Sequence, residues 1–254
     1  MNPFTKTPFY HYFLAFDLIS NPTAKVLDFG CGSGQFLGKL HAKVKNVYGY
    51  DVDPEKINLA QHLHPHVKFK LGRVGAPLPY PDATFDVVNM FHILEHVSSE
   101  TMAILETHRL LKKNGLLFLA SPYQGLFSWA DAANLRYRFP NLHKWFFITF
   151  LGKYEYERRF VSRRSIGMYG DCTDNRNWHK HYTEGELRQL LGNKFTITEV
   201  HKFSLFYPFL LIPYNLINYF FKPKFNSILW LIHLDNLINA GGWSYNFLIV
   251  ARKK

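Results

Sequence analysis

Three glycines follow an acid in the run Val26-Leu27-Asp28-Phe29-Gly30-Cys31-Gly32-Ser33-Gly34, an apolar strand that turns through a loop into a helix. Residues without a Cβ let the backbone bend tightly and approach a ligand closely, so the loop points to a nucleotide-like ligand at the carboxyl end of a sheet. Charge narrows the choice. A dinucleotide fingerprint would need its third glycine where Gln35 stands, and Asp28, two residues before Gly30, would repel the phosphates. A second strand ends at Asp51, where a carboxylate can accept hydrogen bonds from both hydroxyls of a ribose. Asp51 alone would also fit a nicotinamide dinucleotide. Asp28 and Asp51 together, with no phosphate-binding lysine, suit a ligand that carries an ammonium and a sulfonium, and S-adenosylmethionine is the expected cofactor.

These residues need a sheet to hold them. Runs rich in β-formers at 25–29, 46–51, 67–71, 85–90 and 115–121, separated by amphipathic stretches, predict parallel strands flanked by helices. Asp53 before Pro54 predicts one helix start, and Ser98 or Ser99 another, on the helix that carries Leu105, Leu110 and Leu111. Asn114 and Gly115 are expected to stop that helix. Thr183 and Glu186 form a capping box ahead of Leu187, Leu190 and Leu191, and the runs 195–200 and 243–251 read as the last two strands. The expected fold is α/β: one doubly wound domain over 1–254 with a seven-stranded, mostly parallel sheet and insertions at 122–178 and 202–242.

Composition agrees with a single well-filled domain. The 254 residues are 47% hydrophobic and 19% charged, which excludes disorder as the global state. Two cysteines, Cys31 and Cys172, make no disulfide framework and no zinc-type pair, and the first ten residues do not read as a secretory signal, so a cytoplasmic setting is expected. The net charge of +11 favours anionic partners.

Between 25 and 121 the sequence resembles the class I S-adenosylmethionine-dependent methyltransferases, which have a Rossmann-like fold. VLDFGCGSG is similar to the family's first motif, YGYD to its ribose acid, PLPYPDATFDVVNMFHILEHV to its segment around the fourth strand, and ETHRLLKKNGLLFLASP to its fifth-strand motif. HKHYTEGELRQLL is similar to the element that often follows. The resemblance implies that Gly30, Gly32 and Gly34 line the cofactor, that Asp51 holds the ribose and that Val52 packs on adenine; Asp28, Cys31 and Asn89 complete the expected cofactor set. Where the family commonly has an acid reading the adenine amino group, this chain has Arg73.

Methyl transfer leaves the protein two tasks, positioning and removal of a proton from the acceptor. His92, after the fourth strand, is the first candidate base. His92-Ile93-Leu94-Glu95-His96 also matches the short HxxEH metalloprotease pattern, but no third ligand is evident. Quinone-pathway O-methyltransferases resemble this segment and carry a metal-binding ExxEH there; with His92 in place of the first acid, Glu95 and His96 are expected to brace the loop and no metal is expected. The alternative is that His92, Glu95 and His96, which would share a face on a helix, hold a divalent ion. His179 and His181, ahead of the helix at Thr183, are further catalytic candidates, and Tyr123 is expected to line the substrate pocket.

Residues 136–164 hold eight basic side chains, Arg136 and Arg138 first among them, against two acids, with Phe139, Trp145, Phe146, Phe147, Tyr154 and Tyr156 interleaved. A cap in which Arg136 and Arg138 recognise an anionic acceptor is preferred to an RNA platform, because the Asn or Asp followed by Pro-Pro and an aromatic of nucleic-acid amino methyltransferases does not follow Asn89. The uncharged run 203–221 is broken by Pro208, Pro213, Asn215 and Asn218. With 227–238 as its second arm, it predicts a helical hairpin lying on a membrane or over the site rather than a spanning helix. The expected activity is O-methylation of a small-molecule or lipid- or glycan-linked acceptor, with possible peripheral membrane contact through 203–238 and nucleic acid disfavoured. An RNA or protein methyltransferase, and a cofactor-binding protein without catalysis, are the alternatives.

Overall fold

A computed structural model describes residues 2–4, 7–162, 179–221 and 227–254. Seven strands run β1 Lys25–Phe29, β2 Asn46–Asp51, β3 Lys68–Leu71, β4 Phe85–Phe91, β5 Leu111–Pro122, β6 Phe195–Phe203 and β7 Asn246–Lys253. Their order across the sheet is β3-β2-β1-β4-β5-β7-β6. The first five are parallel, and β7 enters between β5 and β6 antiparallel to both. The expected doubly wound, mostly parallel sheet is therefore present.

Strand alternation sends side chains into two cores, one on each face. Leu27, Val88, Leu117, Leu119 and Ile249 pack with Ile104, Leu110, Leu187 and Leu191 from α4 (Glu100–Leu110) and α8 (Glu184–Leu191). Val26, Val47, Val87, Phe118 and Val250 pack with Ala15, Phe36, Leu40 and Ile57 from α1 (Tyr10–Leu18), α2 (Gln35–Leu40) and α3 (Pro54–Leu63). The caps form as the sequence requires. Asp53 accepts from the amides of Glu55 and Lys56, Ser99 from that of Met102, and Thr183 and Glu186 close a reciprocal box. One stop differs: α4 ends at Leu110, because Leu111 is already extended and pairs with Phe85 on β4. Asn114 does take the left-handed conformation, at φ 63°, but in the bulge between Leu111 and Leu116.

After β5 come α5 (Ala132–Arg138), α6 (Pro140–Leu151) and α7 (Lys153–Glu157). Arg158 at the end of α7 bonds Glu155 and reaches Glu55 on α3 at 3.1 Å, so this cap crosses from the end of β5 to the far side of the sheet's upper edge. Residues 163–178, which include Cys172, lie outside the described residues. Between β6 and β7 the chain forms α9 (Tyr207–Phe221) and α10 (Ser227–Asn236), which pack on each other. Asp235 accepts from the amides of Leu205 and Phe206, and His233 Nε2 lies 2.9 Å from the carbonyl of Thr7, which fastens the pair to the N-terminal segment. Phe127 and Trp129 from the cap meet Phe209 of α9 at ring separations of 5.1 and 6.0 Å, so the two inserted regions touch.

Candidate active site

The strand order reverses between β1 and β4, and a crevice opens there at the carboxyl ends of the strands, as open α/β sheets dictate. It holds a cavity of about 610 Å³. The glycine loop and Phe29 form one wall, Asp51 and Val52 a second, residues 73–78 a third, and His92, Ile93 and His96 a fourth. Phe9 just before α1 and Tyr12 within it, with Met102, Ala103 and Glu106 of α4, complete it.

The loop is built around missing side chains. Gly30 stands at φ +85°, its amide donating to the carbonyl of Tyr50 at 2.7 Å, and a Cβ there would meet Ile93 Cδ1 at 2.0 Å. Gly34, at φ +74°, starts α2 and abuts the Phe69 ring, so it shapes the turn without reaching the cavity. Asp51 is fixed before any ligand arrives, with Oδ2 accepting from Gly32 N at 2.8 Å and Oδ1 from Asp53 N at 2.9 Å. Cys31 lines the cavity as a protonated thiol, pushed up by burial and then by Asp28 and Asp51.

Asp28 departs from expectation. It is in register with Asn89 on β4, and both side chains are buried behind the cavity wall. The Asn89 amide has no hydrogen-bond partner among the described residues. Burial, and secondarily the charge of Asp51, pushes the Asp28 carboxyl up to about 8. Of the two acids flanking the glycine loop, Asp51 alone therefore faces the cavity, with a buried neutral acid behind the loop. Because this acid is protonated when folded and ionised when unfolded above pH 4, it removes about 1.4 kcal/mol of stability for each pH unit climbed until the pH passes its folded value. Asp28→Asn is accordingly expected to flatten the fall in melting temperature of the ligand-free protein between pH 6.5 and 8. Parallel melting curves for the two chains would refute this assignment.

His92 ends β4 at φ +54°, a conformation a non-glycine residue holds only when its surroundings demand it. Its Nδ1 lies 3.1 Å from Oε1 of the fully buried Glu95, whose Oε2 accepts from Ser121 Oγ at 3.1 Å. Burial alone would raise the Glu95 carboxyl, but the His92 hydrogen bond and the charges of His92, His96 and His179 outweigh it and hold it at about 2. With Nδ1–H on this carboxylate, Nε2 is the nitrogen left for a reacting proton. The His11 ring lies tilted against that of His92, 4.7 Å away between centroids, and stays neutral, pushed well down by burial and by His92. The expected shared helical face does not exist. Leu94–His96 is a single 3-10 turn, so His92 meets Glu95 while His96 turns to His179, with ring centres 5.0 Å apart.

The remaining predicted residues lie off the cavity wall. His179 and His181 both turn to Asp131 of the cap. Tyr123 is pinned by a bridge to Tyr182 and packs edge-on against Phe247 with Lys202 over its ring, so it is core and not pocket. Arg136 lies on Tyr137, and Arg138 donates to the Trp129 carbonyl on the cap.

The residues present fit a sulfonium nucleoside. The cradle at Gly30 has no room for a Cβ, Asp51 offers a prefixed carboxylate, and Phe29 and Val52 give flat apolar contact. Arg73 does line the cavity, so a purine bound beside it would meet a donor where an acid would accept from its amino group.

Residues 27–119 match the methyltransferase domain family Methyltransf_11. Over 103 residues the chain is 31% identical to a probable S-adenosylmethionine-dependent methyltransferase of Mycolicibacterium smegmatis, covering 41% of this chain and 40% of that protein. It is 34% identical over 110 residues to a ubiquinone biosynthesis O-methyltransferase of Pelagibacter ubique, covering 42% and 46%. The chain thus matches about two fifths of the length of these relatives. Among solved structures, the MccD protein superposes with a TM-score of 0.61 at 15% identity, over 96% of this chain and 97% of that one. The segment that builds the cavity is a class I methyltransferase domain of the S-adenosylmethionine-dependent kind.

Proposed function

We propose that the protein methylates a hydroxyl oxygen on a small or lipid-linked acceptor, with His92 as the general base, while resting on a membrane surface. The observation that carries the reading is His92 on the cavity wall, backed by the buried carboxylate of Glu95. A carboxylate on Nδ1 fixes the ring and stabilises the positive charge it gains, so Nε2 can take the acceptor's proton as the oxygen attacks. Bound beside it, the cofactor would supply a methyl carbon activated by positive sulfur. Phe9 and Tyr12 add aromatic rings to the cavity lining. The similarity to a relative named as an O-methyltransferase supports oxygen as the acceptor.

The membrane part rests on the inserted regions. No described helix is long and apolar enough to cross a bilayer. Phe209, Ile212, Trp230, Leu234 and Leu237 are nevertheless exposed on α9, α10 and the turn after them, next to Trp129 of the basic cap. Neither α9 nor α10 carries an exposed charge, since Asp235 is buried. An apolar face beside cationic side chains suits an anionic leaflet, where two weak anchors act together.

The test incubates the chain with methyl-labelled S-adenosylmethionine, cell extract and anionic vesicles, then separates lipid, small-molecule, RNA and protein fractions. Label is expected in the lipid or small-molecule fraction, with the protein sedimenting with the vesicles and released by Trp230→Glu with Leu234→Glu. Label confined to RNA or protein overturns the acceptor class, and sedimentation unchanged by the double substitution overturns the membrane contact.

A further inference from the structure

Outside the cavity, two ring nitrogens converge on one carboxylate oxygen. His179 Nδ1 lies 2.6 Å and His181 Nε2 2.8 Å from the same atom, Asp131 Oδ2. The other nitrogen of His181, Nδ1, lies 3.1 Å from the carbonyl oxygen of Tyr123. A neutral imidazole has one N–H and one lone pair. With its N–H on the Tyr123 carbonyl, His181 would turn a lone pair against the Asp131 carboxylate, and a cation between them removes the conflict. We propose that Asp131, His179 and His181 bind a divalent transition-metal ion, zinc or a close relative, which fastens the cap to the segment entering α8.

The donors suit such an ion. Two imidazoles and a carboxylate are ligands for zinc and its borderline neighbours, and their ligating atoms lie within 4.8 Å of one another. A metal-bound histidine ordinarily gives its second N–H to a carbonyl or carboxylate, which fixes its tautomer and aim, and the Tyr123 carbonyl stands in that position. The framework around the three is also built. Asp131 Oδ1 accepts from Ala133 N at 2.9 Å, and Asn134 grips the backbone of His179 from both sides, receiving from its N–H at 2.7 Å and donating to its carbonyl at 3.2 Å. The side chains of Asp131, His179 and His181 are 9%, 15% and 7% exposed, which shields the group and leaves an edge for entry.

The position gives the ion a consequence. His179 also adjoins Glu95 and His96, a second group with ligating atoms in the same range, and His96 lines the cavity. An ion at Asp131 therefore ties the cap to His179, whose ring lies against His96 on the cavity wall.

The experiment titrates zinc into chelator-treated protein by calorimetry, without cofactor. One ion is expected to bind, with a rise in melting temperature that grows with its concentration. Asp131→Asn and His181→Ala are each expected to weaken it by about 100-fold or more. His41→Ala with His66→Ala, which removes a surface histidine pair, leaves it unchanged. His181→Cys, which replaces one ligand with another, restores binding, and cobalt in that variant shows a sulfur-to-metal charge-transfer band absent from the parent. Three results overturn the proposal: no stoichiometric zinc binding, in which case a proton alone bridges His181 and Asp131; binding indifferent to Asp131→Asn; or binding lost in Glu95→Gln but kept in Asp131→Asn, which moves the ion to the neighbouring group.

Discussion

A His92→Asn chain is expected to bind S-adenosylmethionine as the parent does and to transfer methyl groups about 10²–10⁴ times more slowly, the usual range for removing a positioned base. Asparagine is the informative replacement, because it tolerates the left-handed backbone that His92 adopts at φ 54°. Alanine would confuse lost chemistry with a shifted strand end. Glu95→Gln is expected to reproduce most of the loss, since an amide oxygen can accept from Nδ1 but brings no charge to stabilise the imidazolium. The carboxyl sits at about 2, so it stays ionised wherever turnover is measured. The stability this carboxylate contributes above the unfolded carboxyl range is lost as pH falls toward 2. Turnover that survives His92→Asn within about threefold would leave acceptor positioning as the whole of catalysis and remove His92 as base.

Asp51→Asn should weaken cofactor binding by about 100-fold, the effect of losing two hydrogen bonds to a charged acceptor with part recovered by the amide oxygen. The geometry makes recovery small. Both carboxylate oxygens already accept a backbone N–H, from Gly32 and from Asp53, so an amide must turn its NH₂ toward one of these donors. The glycine loop would be pushed off its position at the same time as the ribose site is lost. Calorimetry with S-adenosylmethionine and with its demethylated product measures this directly, and equal affinities for parent and variant would remove Asp51 from the site.

The strands, the glycine loop and the helix caps could be read from sequence because each is a local device. Gly30 and Gly34 stand at positive φ, Asp53 and Thr183 cap their own helices, and the apolar runs of β1, β4 and β5 are continuous because both faces are covered. What failed to show depends on long-range placement. Phe9 and Tyr12 reach the cavity from the start of a helix whose apolar residues are spread round it, with no single face that periodicity can detect. Asp28 reads as a free anion by spacing, yet strand alternation turns it beneath the loop beside Asn89, where burial neutralises it. Asp131 carries no motif and gains its meaning from His179 and His181, which the fold delivers from about fifty residues away. His92, Glu95 and His96 have helical spacing but follow the end of a strand, so they share no face: His92 and His96 line the cavity and Glu95 is buried behind it.

The placement of β7 also governs how the molecule can be made. The ribosome releases residues 246–253 after both inserted regions, yet that strand fills the slot between β5 and β6. Until then the outer rim of β5 offers unpaired amides and carbonyls while greasy helices are already out of the exit tunnel, a combination prone to clumping. Chaperone demand should therefore be highest between the emergence of β5 and that of β7, and slow codons within that interval would lengthen the exposure.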